Sequence, residues 1–195
     1  MALKAAFFDV GETLVDETRM WEQAADVAGV PRFTLMGVLG GLAARREHHS
    51  RAWTILDVDQ PASTWTEAVF YDDVLPCLAR LRSQGLLVGA VGNTPVEAEA
   101  LLRMHVDVVG SSARWGVEKP SPEFFRHIVD AARCERAEIA YIGDRVDNDV
   151  EPALAAGMVA VHVRRGPWGH LHDAPTVAIR VRSLDELPEA LASLR

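Results

Sequence analysis

The chain has 195 residues, 49% of them hydrophobic, and a formal charge of −8 at pH 7, which suits one domain, or one core with a modest insertion, around a well-buried interior. So acidic a chain is a poor fit to nucleic acid or to an anionic membrane, both of which reward a basic face, and no apolar run approaches the roughly 20 residues that span a bilayer. Cys77 and Cys134 show no CxxC spacing and follow no signal-like start, which fits two inert thiols in a reducing cytoplasm better than a disulfide scaffold or a zinc site.

In chain order, "KAAFFDV" (4 to 10) reads as a buried strand. Residues 15 to 73 carry no strand pattern but hold helical stretches, "ETRMWEQAADVAG" and "LAARREHHSRAW", and read as a helical insertion over the sheet's carboxyl edge. Beyond them, strands at "LLVGAV" (86 to 91), "VDVVG" (106 to 110), "IAYIG" (139 to 143) and "VAVHV" (159 to 163) alternate with helical patterns at 74 to 85, 95 to 105, 121 to 134 and 149 to 158, several closed by Gly. Residues 164 to 175, rich in Gly, Pro and His, read as one long loop. "VAIRV" (177 to 181) reads as an edge strand and 183 to 194 as a closing helix. The alternation predicts an α/β fold, a three-layer Rossmann-like sandwich with a parallel sheet. Its divisions are a core of 1–14 with 74–195 and a helical cap of 15–73.

In such sheets the ligand site lies at the carboxyl ends of the strands, where strand order reverses. Asp9, Asn93, Lys119 and Asp144 all fall at strand ends or in loops that reach them. An aspartate can attack phosphorus or carbon and form a covalent intermediate. Asp144, with Asp149 nearby, offers the oxygen ligands that Mg²⁺ prefers, and Lys119, one of only two lysines beside 18 arginines, can balance the charge gathered there.

The motifs "DVGETL" (9 to 14), "VGAVGN" (88 to 93), "EKPSPEFF" (118 to 125) and "IGDRVDNDV" (142 to 150) together resemble the haloacid dehalogenase-like superfamily, in its order and over nearly the whole chain. The resemblance implies Asp9 as nucleophile and metal ligand, Lys119 as charge stabiliser, Asp144 and Asp149 as metal-supporting acids, and a helical cap after the first strand. The Mg²⁺ site is expected to include the backbone carbonyl of Gly11, and Gly92, Asn93 and Thr94 to line the substrate position. Two features depart from the family's phosphatases. Gly11 replaces the aspartate that serves as general acid and base, and Gly92 stands where Ser or Thr precedes the asparagine, with Thr94 the nearest hydroxyl.

The resulting expectation is a Mg²⁺-dependent hydrolase acting on a small phosphorylated metabolite through an aspartyl-phosphate at Asp9, with weakened acid/base catalysis. No side chain of the first motif is expected to carry the proton, so good leaving groups should be favoured, and an aspartate at position 11 should restore alkyl phosphate turnover. The alternative is a catalytically weak or inactive binding or regulatory protein of the same fold. A dehalogenase and a phosphonate hydrolase fit less well, the latter because the cap lacks the lysine that a Schiff base needs. Glu12 reads as a solvent-facing residue or substitute acid, His48 and His49 as a solvated helix face, His170 and His172 as surface residues, and Trp21, Trp53 and Trp65 as the cap's small core. The sequence is silent on oligomeric state.

Overall fold

A computed structural model describes residues 2–62, 65 and 68–194. The first strand shows how the sheet is held. In β1 (Ala5–Phe8) all four side chains are buried, and because successive residues of a strand point to opposite faces, Ala6 and Phe8 enter one apolar cluster while Ala5 and Phe7 enter another. A strand buried on both faces has to lie inside a sheet with helices above and below.

β2 (Val15–Asp16), α1 (Thr18–Val27), α2 (Arg32–Ala44), α3 (Arg51–Leu56) and β3 (Val69–Phe70) follow β1. Next come α4 (Val74–Ser83), β4 (Leu87–Gly92), α5 (Ala98–Leu102), β5 (Val108–Ser111), α6 (Ser112–Trp115), α7 (Pro122–Ala132) and β6 (Ile139–Gly143). The chain ends with α8 (Glu151–Ala155), β7 (Val159–Val163), α9 (Gly166–Leu171), β8 (Ile179–Val181) and α10 (Leu187–Ala192). The main sheet has six parallel strands in the order β5-β4-β1-β6-β7-β8. One face packs on Val74, Leu78 and Leu81 of α4 and Leu187 and Leu191 of α10, the other on Phe124, Phe125 and Ile128 of α7 and Ala153 of α8. The expected three-layer α/β sandwich is therefore present. Strand order reverses at β1, so the loops after β1, β4 and β6 converge on one edge.

Register explains a glycine inside β4. Gly89 pairs with Phe7, and a Cβ on it would lie 2.3 Å from the Phe7 ring. The missing side chain makes room for an aromatic ring that fills the core.

α1, α2 and α3 enclose a third cluster, formed by Ala25, Leu35, Leu39, Leu42, Ala52 and Trp53. Three local readings of the sequence are corrected here. Residues 15 and 16 pair antiparallel with 69 and 70, as β2 and β3, because a two-residue ribbon is too short to show an alternation. The helical stretch 42–53 is broken by Arg46, whose φ of +56° lies in the left-handed region where a helix cannot continue. The expected loop 164–175 contains α9, with a proline at its start, where a missing N–H costs nothing. Among the described residues no single helix is long and apolar enough to cross a membrane.

Candidate active site

Asp9 directly follows β1, with its N–H on the carbonyl of Ile142 in β6 at 2.8 Å, so the sheet itself aims the residue out of its carboxyl edge. Lys119 comes from the loop before α7. Its Nζ donates to Asp9 Oδ1 at 2.5 Å and to Asp149 Oδ1 at 2.6 Å, and the lysine side chain is 1% exposed. An ammonium so deeply buried is tolerable only when paired. Burial works against its charge, but Asp149 and Asp9 outweigh it and hold Lys119 well above the ordinary lysine range.

The loop that carries Lys119 is gripped by Asn93. Its Nδ2 donates to the Lys119 carbonyl at 3.0 Å and its Oδ1 accepts from the Lys119 N–H at 2.8 Å. Asn93, expected beside the substrate, thus spends its whole amide on positioning the lysine. Thr94, next along, is buried, lines the cleft, and has a hydroxyl with no hydrogen-bond partner among the described residues. Gly92 lies so close to Asp9 that a Cβ would be 3.1 Å from Asp9 Oδ1.

After β6 the chain turns through one π-helical turn, Val146–Val150, the kind of irregular turn that recurs at functional sites. It returns Asp149 over Gly143, where a Cβ would lie 2.5 Å from the aspartate, and Asp149 Oδ2 accepts from the Arg145 N–H at 3.0 Å. Asp9, Asp144 and Asp149 each bring a carboxylate oxygen within 4.8 Å of the others. Burial first, then repulsion from Asp149 and Asp9, pushes Asp144 well above the carboxylate range. Burial also raises Asp149, opposed by Lys119, to about 6. Three buried carboxylates facing one ammonium leave excess negative charge, and an all-oxygen donor set of this kind fits a hard divalent cation. Asp147, in the same turn, pairs with Arg145 at 2.8 Å.

Glu12 turns neither to solvent nor freely toward the reacting groups. Its backbone is left-handed, with φ +52°, and its buried carboxylate accepts from the Glu17 N–H at 3.0 Å and the Tyr71 hydroxyl at 2.8 Å. Glu17, just before α1, was not singled out in the sequence. Its carboxyl stands beside Gly11, and burial, reinforced by the charge of Glu12, pushes it up to about 8.

His48 and His49 also line the cleft, with ring centroids 4.1 Å apart. The expectation of a solvated helix face fails because residues 45–50 are not helical. His172 is buried rather than exposed. The cleft, of ≈ 470 Å³, opens beside a second cavity of ≈ 290 Å³ walled by Met20, Trp21, Trp53, Trp65 and Pro95, and Glu17, His49 and Asn93 border both. Trp21 and Trp53 thus wall a pocket as well as packing the insertion, whereas Trp65, expected in the same small core, packs against the main-sheet cluster.

Residues 3–157 match the family model described as haloacid dehalogenase-like hydrolase. A glyceraldehyde 3-phosphate phosphatase of Methanopyrus kandleri is 37% identical over 137 residues, 63% of this chain and 58% of that protein. One of the same name from Methanocaldococcus jannaschii is 30% identical over 131 residues, 64% of this chain and 58% of that protein. The chain thus spans little more than half the length of these relatives. A phosphatase structure from Thermococcus onnurineus superposes with a TM-score of 0.68 at 23% identity, covering 97% of this chain and 98% of that one, a likeness of fold.

Proposed function

Because the chain belongs to the haloacid dehalogenase-like hydrolase family, we propose that this hydrolase is a divalent-cation-dependent phosphatase that attacks the phosphorus of a small phosphorylated metabolite through Asp9. The observation that carries the reading is the buried Lys119 ammonium joined to both Asp9 and Asp149, with Asp144 completing the acidic set. Two phosphatase-named relatives support phosphorus over carbon as the centre attacked.

Asp9 forms the acyl-phosphate, and Lys119, hydrogen-bonded to it, offsets the charge of the incoming phosphoryl group. Magnesium, held by Asp9, Asp144 and Asp149 with the Gly11 carbonyl, would neutralise further negative charge there. Thr94 offers its unpaired hydroxyl to a phosphoryl oxygen, at the place left bare by Gly92, and Asn93 keeps Lys119 in position. Residues 15–73 act as a cap over a core of 1–14 and 74–195, and the substrate's organic part enters the ≈ 290 Å³ cavity under the cap. With Cys77 and Cys134 both free and a charge of −8, the protein suits the cytoplasm and a small-molecule partner, and neither nucleic acid nor membrane.

A phosphate-ester panel with and without Mg²⁺ tests the reading. Metal-dependent phosphate release that Asp9→Asn abolishes, with the melting temperature retained, is the expected result. Mg²⁺ binding without any release would instead identify a binding protein of the same fold.

A further inference from the structure

The position of the Glu17 carboxyl is unaccounted for by the mechanism above. A Cβ built on Gly11 would meet Glu17 Oε1 at 2.3 Å, its Cδ at 2.8 Å and its Oε2 at 3.3 Å, and these are its three nearest atoms. Gly11 does not have a positive φ, so its backbone suits any residue, and the nearest obstacle to a side chain there is the Glu17 carboxyl. The space of the missing side chain is filled by a carboxyl from six residues further along the chain.

That carboxyl is fixed and oriented. The Glu17 N–H is held by Glu12 at 3.0 Å, and Trp21 Nε1 donates to Glu17 Oε2 at 3.2 Å. An indole N–H only donates, so Oε2 accepts, which leaves Oε1, the oxygen nearest Gly11 and without a hydrogen-bond partner among the described residues, to exchange a proton with a ligand. Glu17 also borders both the cleft that holds Asp9 and the tryptophan-walled cavity, the seam at which the scissile ester oxygen of a substrate spanning the two has to lie. Glu12, the other nearby carboxylate, has both oxygens engaged.

We propose that Glu17 is the catalytic acid and base of this enzyme, standing in from the insertion for the residue that Gly11 lacks. The proposal rests on the phosphatase reading. In the first step an Asp9 oxygen bonds to phosphorus, the bond from phosphorus to the ester oxygen breaks, and that oxygen takes the proton from Glu17 Oε1 and leaves as the alcohol. In the second, the Glu17 carboxylate removes a proton from water, the water oxygen attacks phosphorus, and phosphate leaves with Asp9 regenerated. Each residue ends in its starting state. An aspartate added at position 11 would therefore compete with Glu17 for one space, contrary to the gain expected from sequence.

The test measures kcat and kcat/KM with Mg²⁺ for a primary alkyl phosphate and for p-nitrophenyl phosphate. Glu17→Gln should lower alkyl kcat/KM by roughly 10²- to 10⁴-fold. For the aryl ester kcat/KM should hold, while kcat and KM fall together and a nitrophenol burst appears, because the acyl-phosphate then lacks its base. Gly11→Ala removes no functional group but displaces the Oε1 position, and should lower the alkyl-to-aryl ratio in the same direction. It also serves as the independent variant if Glu17→Gln fails to fold. An unchanged ratio in the folded variants overturns the role of Glu17 while leaving the phosphatase reading intact. Absence of phosphate release by the unaltered protein, or full activity in Asp9→Asn, overturns the phosphatase reading and this proposal with it.

Discussion

Thr94 and His49 illustrate how single residues acquire roles from their surroundings. A hydroxyl buried without a partner among the described residues forgoes a hydrogen bond, and under the phosphatase reading its partner is a phosphoryl oxygen of the substrate. Thr94→Val keeps the shape and removes the donor; a lost hydrogen bond to a charged group, about 1.5–3 kcal/mol, should raise KM by roughly 10- to 100-fold, and Thr94→Ser should recover most of it. His49 is pushed down to about 4 by burial first and then by His48 and Arg145. Between that value and the ordinary 6.5 the unfolded chain binds a proton that the folded one refuses, so stability falls as pH drops through the window and returns as pH rises. His49→Gln should flatten this limb of the urea-midpoint profile, by on the order of 1–3 kcal/mol at its acid end. The sequence marked Asp9, Lys119, Asp144 and Asp149 because they sit at strand ends in a motif order. It gave no sign of Glu17, since a glutamate opening a helical run is ordinary and its value lies in a contact with Gly11.

Strand positions were legible to within about two residues because burial on both faces leaves unbroken apolar runs. β6 and β7 coincide with the expected spans, and β1 is shorter by one residue at the front and two at the back. Short elements were lost, because two paired residues in β2 and β3 or four in α6 are below any period that a pattern can reveal. Gly89 shows what register adds. In sequence it weakens a strand, whereas beside Phe7 it is the residue that lets β1 and β4 pack. Gly89→Ala should destabilise the protein by about 1–3 kcal/mol through overpacking, read as a lower urea midpoint with an unchanged slope.

One of the ties between the insertion and the rest of the molecule is a buried imidazole, beside the ion pairs of Asp73 with Arg165 and of Arg46 with Glu151. His172 Nε2 lies 2.8 Å from the Ala43 carbonyl at the end of α2, while its Nδ1 faces the Val146 N–H at 3.3 Å in the turn that carries Asp149. Those partners call for a proton on Nε2, so the ring donates to the insertion and accepts from the active-site turn. His172→Ala should leave both groups unpaired, cost about 1–3 kcal/mol, and speed amide hydrogen exchange of Val146 and of the last turn of α2. The sequence by itself determined the α/β class and the parallel sheet, because periodicity and chain order are properties of neighbours, and it singled out Asp9, Asp144 and Asp149, which the fold brings together. Only the tertiary structure decided that Lys119 joins Asp9 to Asp149, that Glu12 is consumed by Tyr71 and the Glu17 N–H, and that a carboxyl from the insertion fills the space at Gly11. Those outcomes depend on distances between residues far apart in the chain, or on backbone turns that no local pattern encodes.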